Sequence, residues 1–266
     1  KVLNRIDKSM KAVAIIPARM ESSRFPGKPL AQIHGMPMIG HCYYRTRMCS
    51  DLIDTYVATC NQEIVDYIES IGGKAIMTKS THERATDRTA EAMIKIEQEL
   101  GYDLDVVVMV QGDEPMTTPS MITLALQPFY QDSSVNVVNL MKEMDTYEEF
   151  EDANEVKVVV DKNGDAIYFS REPIPSRKKG IIDGPMLKQV CIIPFRREYL
   201  LKFNDMEETE LERIESVDML RIIENGGKVR MVYSDTPSFS VDTEADLKNV
   251  VSKMTNDKLM NTYLIK

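Results

Sequence analysis

An α/β fold, a mostly parallel sheet covered by helices with an inserted antiparallel hairpin lobe, is what this sequence predicts. Three observations carry it. Short apolar runs alternate with amphipathic stretches through the first half of the chain. One of those runs, VVVMVQ at Val106–Gln111, lacks polar alternation, as a parallel strand covered on both faces requires. An Asn163-Gly164 pair then stands between two β-rich runs, a strong hairpin signal. The 266 residues suit one or two domains and a sizeable buried core.

Taken in order, Ala12–Ile16 is short, partly β-branched and bounded by Pro17, so it reads as a buried strand. Thr55–Thr59 reads as a second. Asn61 is placed to cap a helix whose apolar positions Ile64, Val65, Ile68 and Ile71 recur at threes and fours, and Gly72-Gly73 closes it. Residues 87–100 repeat the helical pattern through Ala90, Met93, Ile94 and Leu100 before the Val106–Gln111 strand. Val156–Asp161 and Ala166–Ser170 form the hairpin. After it come a strand at Val190–Phe195, a helix through Leu211, Ile214, Val217 and Leu220 closed by Gly226-Gly227, and a strand at Val229–Tyr233. Thr243 caps the final helix with Asp246 as capping-box partner, and Leu247, Val250, Val251 and Met254 make its apolar stripe.

Acidic residues outnumber basic ones, 42 to 33, for a formal charge of −9. Broad attraction to nucleic acid or an anionic membrane is thereby excluded, and an anionic ligand needs a local basic cluster. Cys42, Cys49, Cys60 and Cys191 form no C-x-x-C pair and read as reduced, apolar packing groups. No apolar run reaches membrane-helix length, and the polar start KVLNRIDKSMK lacks the apolar core of a signal peptide. A soluble protein of a reducing, cytoplasmic compartment is expected. The 18 methionines read as core fillers.

Three loops at strand ends concentrate the chemistry. PARMESSRFPGKPL (Pro17–Leu30) gathers Arg19, Arg24 and Lys28, with Pro26 and Gly27 shaping the turn. Guanidinium forks, an ammonium and freed backbone N–H groups suit a polyphosphate, although the segment matches neither the P-loop nor the dinucleotide pattern, and basicity alone equally fits a solvated loop. VQGDEP (Val110–Pro115) ends an apolar strand on adjacent acids, which suit either Mg²⁺ or a simple turn. In FSVDTEADL (Phe239–Leu247), Asp242 precedes the capping Thr243; it either favours the helix dipole or converges with Asp113 on one Mg²⁺.

These segments, with TDR at Thr86–Arg88, VKVVVD and AIYFSR through Arg171, stand in an order that resembles the 3-deoxy-manno-octulosonate (Kdo) cytidylyltransferases over residues 11–252. The resemblance implies a nucleotide-diphospho-sugar transferase-like (Rossmann-like) fold and a single domain. Its nucleotide-binding half is about 11–140, its hairpin, acceptor and dimerisation lobe about 141–227, and its return to the main sheet about 228–254. It further implies CTP and an acidic sugar as substrates, pyrophosphate release, Mg²⁺, a homodimer and a role in lipopolysaccharide or capsule biosynthesis. Carried over by position, Pro17, Ala18, Arg19, Lys28, Arg88 and Gln111 bind the nucleotide, and Arg19, Arg24 and Lys28 hold the triphosphate and act in catalysis. Asp113 and Asp242 bind Mg²⁺, and Arg171 faces the acceptor. None of His34, His41 and His82 is placed as an obvious base.

Departures cluster on the acceptor side. KQVCIIPF (Lys188–Phe195) stands where the family reads like KHLGIYAY, which makes a His into Gln189 and removes an aromatic hydroxyl around Pro194. LERIESVDMLR (Leu211–Arg221) puts Asp218 for Glu and Met219 for Gln, and a thioether cannot donate an amide's hydrogen bonds. Gln189 and Asp218 are therefore the candidate acceptor contacts beside Arg171. A close Kdo analogue, another ulosonic acid, an amino-sugar analogue or a phosphonate all remain open as acceptor. A CTP-binding protein without catalysis fits less well with a full set of cations and acids, and an NAD-dependent oxidoreductase lacks G-x-G-x-x-G after the first strand.

Overall fold

The computed structural model describes residues 10–264 apart from residues 23 and 182, so most of the polar opening segment, residues 1–9, lies outside the described residues. The elements run β1 (Ala12–Ala18), a 3₁₀ turn (Lys28–Leu30), β2 (Gln32–Ile33), β3 (Met36–Pro37), α1 (Met38–Arg47), β4 (Asp54–Thr59), α2 (Gln62–Ser70), β5 (Ala75–Met77), α3 (Ala85–Leu100), β6 (Val106–Val110) and α4 (Pro119–Gln131). There follow β7 (Val138–Glu143), α5 (Tyr147–Glu151), β8 (Lys157–Val160), β9 (Ala166–Ser170), β10 (Leu187–Val190), β11 (Ile192–Arg196), α6 (Arg197–Asp205), α7 (Glu210–Glu215), α8 (Met219–Glu224), β12 (Arg230–Tyr233), α9 (Glu244–Met254) and α10 (Met260–Tyr263). The chain divides into two compact units, residues 1–123 with 237–266, and residues 124–236. Among the described residues no helix is long and apolar enough to cross a membrane.

In the first unit β6, β1, β4 and β5 lie side by side and all parallel. β1 and β6 are buried along their whole lengths, which is why both read as unbroken apolar runs. β1 continues through Pro17 to Ala18 rather than stopping at Ile16. Its pairing with β6 ends at Ile15↔Met109, so Pro17 falls where β4 alone is paired, a position that tolerates the missing N–H. α9 forms as expected: Thr243 Oγ1 accepts from the Asp246 N–H, and the Asp246 carboxylate accepts from the Thr243 N–H. Val250 and Met254 bury fully with Ile33, Met38 and Val241.

In the second unit a mixed sheet runs β12-β7-β10-β8-β9, with β12 parallel to β7 and the other pairs antiparallel. The β8–β9 hairpin turns at Asn163-Gly164, where Gly164 has φ 82°. β12 pairs in this sheet, and the chain re-enters the first unit only at Pro237. Two expected elements are each divided. The strand at Val190–Phe195 is interrupted at Cys191 into β10 and β11. The single helix through Leu211–Leu220 is two, because Ser216 adopts the left-handed conformation (φ 53°, ψ 48°) and leaves Ile214 exposed. Ile94 is likewise exposed, and Ile96 takes the buried place on α3.

The cysteines are all free, Cys42 and Cys49 buried. His41 is fully buried on α1, its ring nitrogens facing the Tyr263 hydroxyl and the Ile33 carbonyl at 2.8 Å each. Burial pushes its pKa down from 6.5 to about 4. Because the folded value is the lower one, the neutral ring's contribution is complete above about 6.5 and is lost as pH falls toward about 4. The unfolding free energy from denaturant titration is expected to fall across that window by up to about 3 kcal/mol, and His41→Gln to flatten the slope.

Candidate active site

Ligands of open α/β sheets bind beyond the carboxyl ends of the strands. At the ends of β1 and β6 lies a cavity of about 350 Å³. Pro17 and Ala18 from β1, Arg19, Arg24 and Lys28 from the next loop, Arg88 from α3, and Gln111, Asp113 and Asp242 all line it. The structure thus brings together every nucleotide and metal candidate of the sequence, from positions up to 225 residues apart. In a chain of charge −9, Arg19, Arg24, Lys28, Arg84 and Arg88 all line this one cavity.

Lys28 sits at the centre of the charges. Its Nζ donates to Asp113 Oδ2 at 3.1 Å and to the Val241 carbonyl at 2.8 Å, and lies 3.7 Å from Asp242 Oδ1. Arg24 Nη2 donates to that same Asp242 oxygen at 3.0 Å. The geometry begins locally. Gly27, at φ 73°, returns its N–H to the Met20 carbonyl at 2.9 Å and starts the 3₁₀ turn that carries Lys28. Asn61 holds the loop from outside: its Oδ1 accepts from the Met20 N–H at 2.9 Å, and its amide donates to Glu21 at 3.3 Å. Asn61 does occupy the N-cap position of α2, but its side chain makes no cap bond because it serves the basic loop instead.

Asp113 and Asp242 are two hard oxygen donors with a cation already between them. Asp113 comes from the loop after β6, whereas Asp242 stands not at a strand end, as the sequence suggested, but in the loop just before the Thr243 cap of α9. Such a pair suits Mg²⁺, which takes one or two protein carboxylates and completes its shell with water and phosphate oxygens. Among the described residues no group of three or more His, Cys, Asp or Glu could hold a metal ion.

Arg88 is buried, and its guanidinium donates to Thr78 Oγ1 at 2.5 Å and to the Lys79 and His82 carbonyls at 3.3 and 3.4 Å. It shapes the wall on which His82, Glu83 and Arg84 sit. His82 faces Glu91, whose carboxylate also accepts from the Lys79 N–H at 3.1 Å and pairs with Lys95 at 2.7 Å. Burial raises the Glu91 pKa, but these hydrogen bonds outweigh it and hold the group at about 2. Sequence reasoning missed His82, Arg84 and Asn61 as parts of the cavity and its frame. Only the fold brings the loop before α3 and the N-terminus of α2 against Pro17–Leu30.

The acceptor candidates belong to the second unit. Arg171 donates through Nε to the Glu215 carbonyl at 2.7 Å, through Nη1 to Ala153 at 2.8 Å and through Nη2 to Ser216 at 3.3 Å. The carbonyls freed by the break between α7 and α8 are thus taken up by this guanidinium. Arg171→Lys is expected to cost about 1–3 kcal/mol of stability, read by denaturant titration, since an ammonium cannot span three divergent acceptors. Gln189 donates to Asn139 Oδ1 at 2.6 Å. Asp218 occupies the N-cap position of α8 and is half-buried, and Met219 beside it is fully buried.

A parallel sheet with polyphosphate-suited cations beyond its strand ends, and two carboxylates converging there from the loop after β6 and the loop before α9, defines a nucleotidyltransferase. The sequence model of the Cytidylyltransferase family matches residues 13–231. A 3-deoxy-manno-octulosonate cytidylyltransferase from Geobacter metallireducens is 40% identical over 92% of this chain and 98% of its own. A solved CMP:2-keto-3-deoxy-manno-octonic acid synthetase, complexed with CTP, superposes with a TM-score of 0.84 at 38% identity, covering 92% of this chain and 98% of the other. The chain belongs to the 3-deoxy-manno-octulosonate cytidylyltransferase family. A 4-diphosphocytidyl-2C-methyl-D-erythritol synthase from Anaerococcus prevotii, 12% identical with a TM-score of 0.61 over 94% of this chain and 97% of the other, shares the fold.

Proposed function

We propose that this enzyme transfers CMP from CTP to the anomeric hydroxyl of Kdo or a close ulosonic acid, releasing pyrophosphate with the help of Mg²⁺. The observation that carries the reading is Lys28 Nζ lodged between Asp113 and Asp242 in a cation-lined cavity at the strand ends. Pro17, Ala18, Arg19, Arg88 and Gln111 bind and shape the site for the nucleotide, while Arg19, Arg24 and Lys28 hold the triphosphate. The acceptor oxygen attacks the α-phosphorus, the bond to the bridging oxygen breaks, pyrophosphate leaves and the hydroxyl proton passes to solvent. The cations stabilise charge growing on the leaving oxygens, and positioning supplies much of the remaining acceleration. Asp113 and Asp242 would hold Mg²⁺, which supplies Lewis-acid charge to the phosphate oxygens.

His41 is buried away as a neutral ring and His82 faces Glu91, so neither is assigned as the base. Arg171 is assigned to the acceptor side with Gln189 and Asp218, in the first instance as the clamp on the α7–α8 break. The burial of Met219, and the Gln189 amide donating to Asn139, favour a second reading in which the acceptor is a different anion, such as another sugar acid or a phosphonate. A cytoplasmic homodimer serving lipopolysaccharide or capsule assembly is the setting that accords with the proposal.

The test is pyrophosphate release with CTP, Mg²⁺ and, side by side, Kdo, other ulosonic acids and small phosphonates. Highest kcat/KM with Kdo or a close analogue is expected. A phosphonate preference would establish the second reading, and no release with any acceptor would leave a CTP-binding protein.

A further inference from the structure

Asp113 and Asp242 come from segments that have no covalent reason to stay in register. Asp113 lies three residues beyond the end of β6, whereas Asp242 follows residues 237–241, which belong to no helix or strand and lead into α9. Besides the Lys28 ammonium, which bridges Asp113 and the Val241 carbonyl, two direct contacts clasp the segments together. The Val241 N–H donates to the Asp113 carbonyl at 2.9 Å. Immediately beside it, Ser238 Oγ donates to Glu114 Oε2 at 2.7 Å, and both side chains are buried, 7% and 6% exposed.

A single main-chain bond is a pivot; a second, about three residues away, removes the rotation. The Glu114 side of the clasp is itself rigid. Arg45 donates to the Thr117 carbonyl at 2.6 Å and to the Met116 carbonyl at 3.3 Å, and the Thr117 hydroxyl donates to the Glu114 carbonyl at 3.0 Å. Burying a carboxylate costs free energy unless its hydrogen bonds are made, so its place under the Asp113 loop calls for a reason.

We infer that Glu114 is a positioning residue: through Ser238 it fixes the separation of Asp113 and Asp242, and so sets the affinity of the site for a divalent cation. This rests on the assignment of those two aspartates as the metal pair. Glu114 itself points into the buried clasp and acts through Ser238, so its effect falls on metal affinity, and turnover recovers at saturating metal.

The experiment is Mn²⁺ titration of the full chain with CTP and without acceptor, read by electron paramagnetic resonance, alongside the Mg²⁺ concentration for half-maximal rate and the KM of the acceptor. Ser238→Ala is expected to weaken Mn²⁺ binding about tenfold and raise the Mg²⁺ requirement in parallel, the size of effect seen when outer partners of metal ligands are removed. Acceptor KM and kcat at saturating Mg²⁺ stay near wild type. Glu114→Gln keeps an acceptor oxygen and Ser238→Thr keeps the hydroxyl, so both stay near wild type. Ser238→Cys, with its weaker donor, falls between and carries the test where the alanine variant does not fold.

Unchanged Mn²⁺ affinity in folded Ser238→Ala overturns the inference. So does a loss in Glu114→Gln as large as that in Ser238→Ala, which would assign the effect to charge rather than to the clasp. Wild-type binding that Asp113→Asn leaves intact overturns the metal pair itself, and the inference with it.

Discussion

Asp113→Asn and Asp242→Asn are each expected to lower turnover with CTP and Mg²⁺ by about 10²–10³-fold, the scale on which single electrostatic stabilisers of a transition state act. Loss of turnover alone is also what a misfolded variant gives, so the informative measurement is nucleotide binding without metal. In the structure the cations assigned to the triphosphate are engaged by these carboxylates: Lys28 by both, Arg24 by Asp242. Free CTP must compete with the carboxylates for those cations and must also approach their negative charge. Neutralising Asp242 releases Arg24 from its ion pair and removes one of the two negative charges, while Asp113 continues to hold Lys28. Calorimetric titration in EDTA is therefore expected to show Asp242→Asn binding CTP about two- to fivefold more tightly than wild type, a modest factor because Arg24 is more than half exposed and its pair is worth little in water. The two signs are opposite, weaker catalysis and stronger metal-free binding. Equal or weaker metal-free binding by a folded Asp242→Asn would count against the competition.

The parts of the fold and site legible in the sequence were those set by local physics. β1 and β6 declare themselves by unbroken apolar runs, α9 by Thr243 and Asp246, and the β8–β9 turn by Asn163-Gly164. The gathering of Arg19, Arg24 and Lys28 at one cavity was legible for a related reason, since a strand end followed by a turn carries its cations in one stretch of chain. What stayed hidden depended on partners far away. Asn61 has the composition of a cap, yet Met20, 41 positions earlier, takes its oxygen. Ser216 breaks an apparently continuous apolar stripe, and the guanidinium that takes up the freed carbonyls is 44 and 45 residues distant. Glu114 is one of two adjacent acids in VQGDEP, but nothing short of the fold pairs it with Ser238, 124 positions later. Side chains that serve two elements at once satisfy the requirements of neither in isolation, so periodicity and propensity do not find them.

Lys28→Met carries the other large effect, and its signature differs from that of the aspartates. The ammonium is fixed on the 3₁₀ turn begun by Gly27, with two carboxylates and a carbonyl around it and only 15% of the side chain exposed. Methionine keeps the length and apolar stem and removes the charge, so kcat is expected to fall about 10²–10³-fold. Arginine is no conservative substitute, because a planar fork cannot reproduce a point charge among three converging acceptors. Without the ammonium, Asp242 keeps Arg24 but the two carboxylates lose the cation that lies between them, which destabilises the metal-free protein and leaves the pair open to a divalent ion. Mn²⁺ in the absence of nucleotide is therefore expected to bind Lys28→Met more tightly than wild type. By mass action, Mg²⁺ should then raise the unfolding midpoint of the variant more than that of wild type. A lysine that served only to neutralise the two acids would show the same gain in metal affinity but retain kcat once Mg²⁺ was saturating. Loss of kcat at saturating Mg²⁺ together with tighter metal binding assigns Lys28 to the phosphates of the reacting nucleotide, and recovery of kcat would restrict it to the resting site.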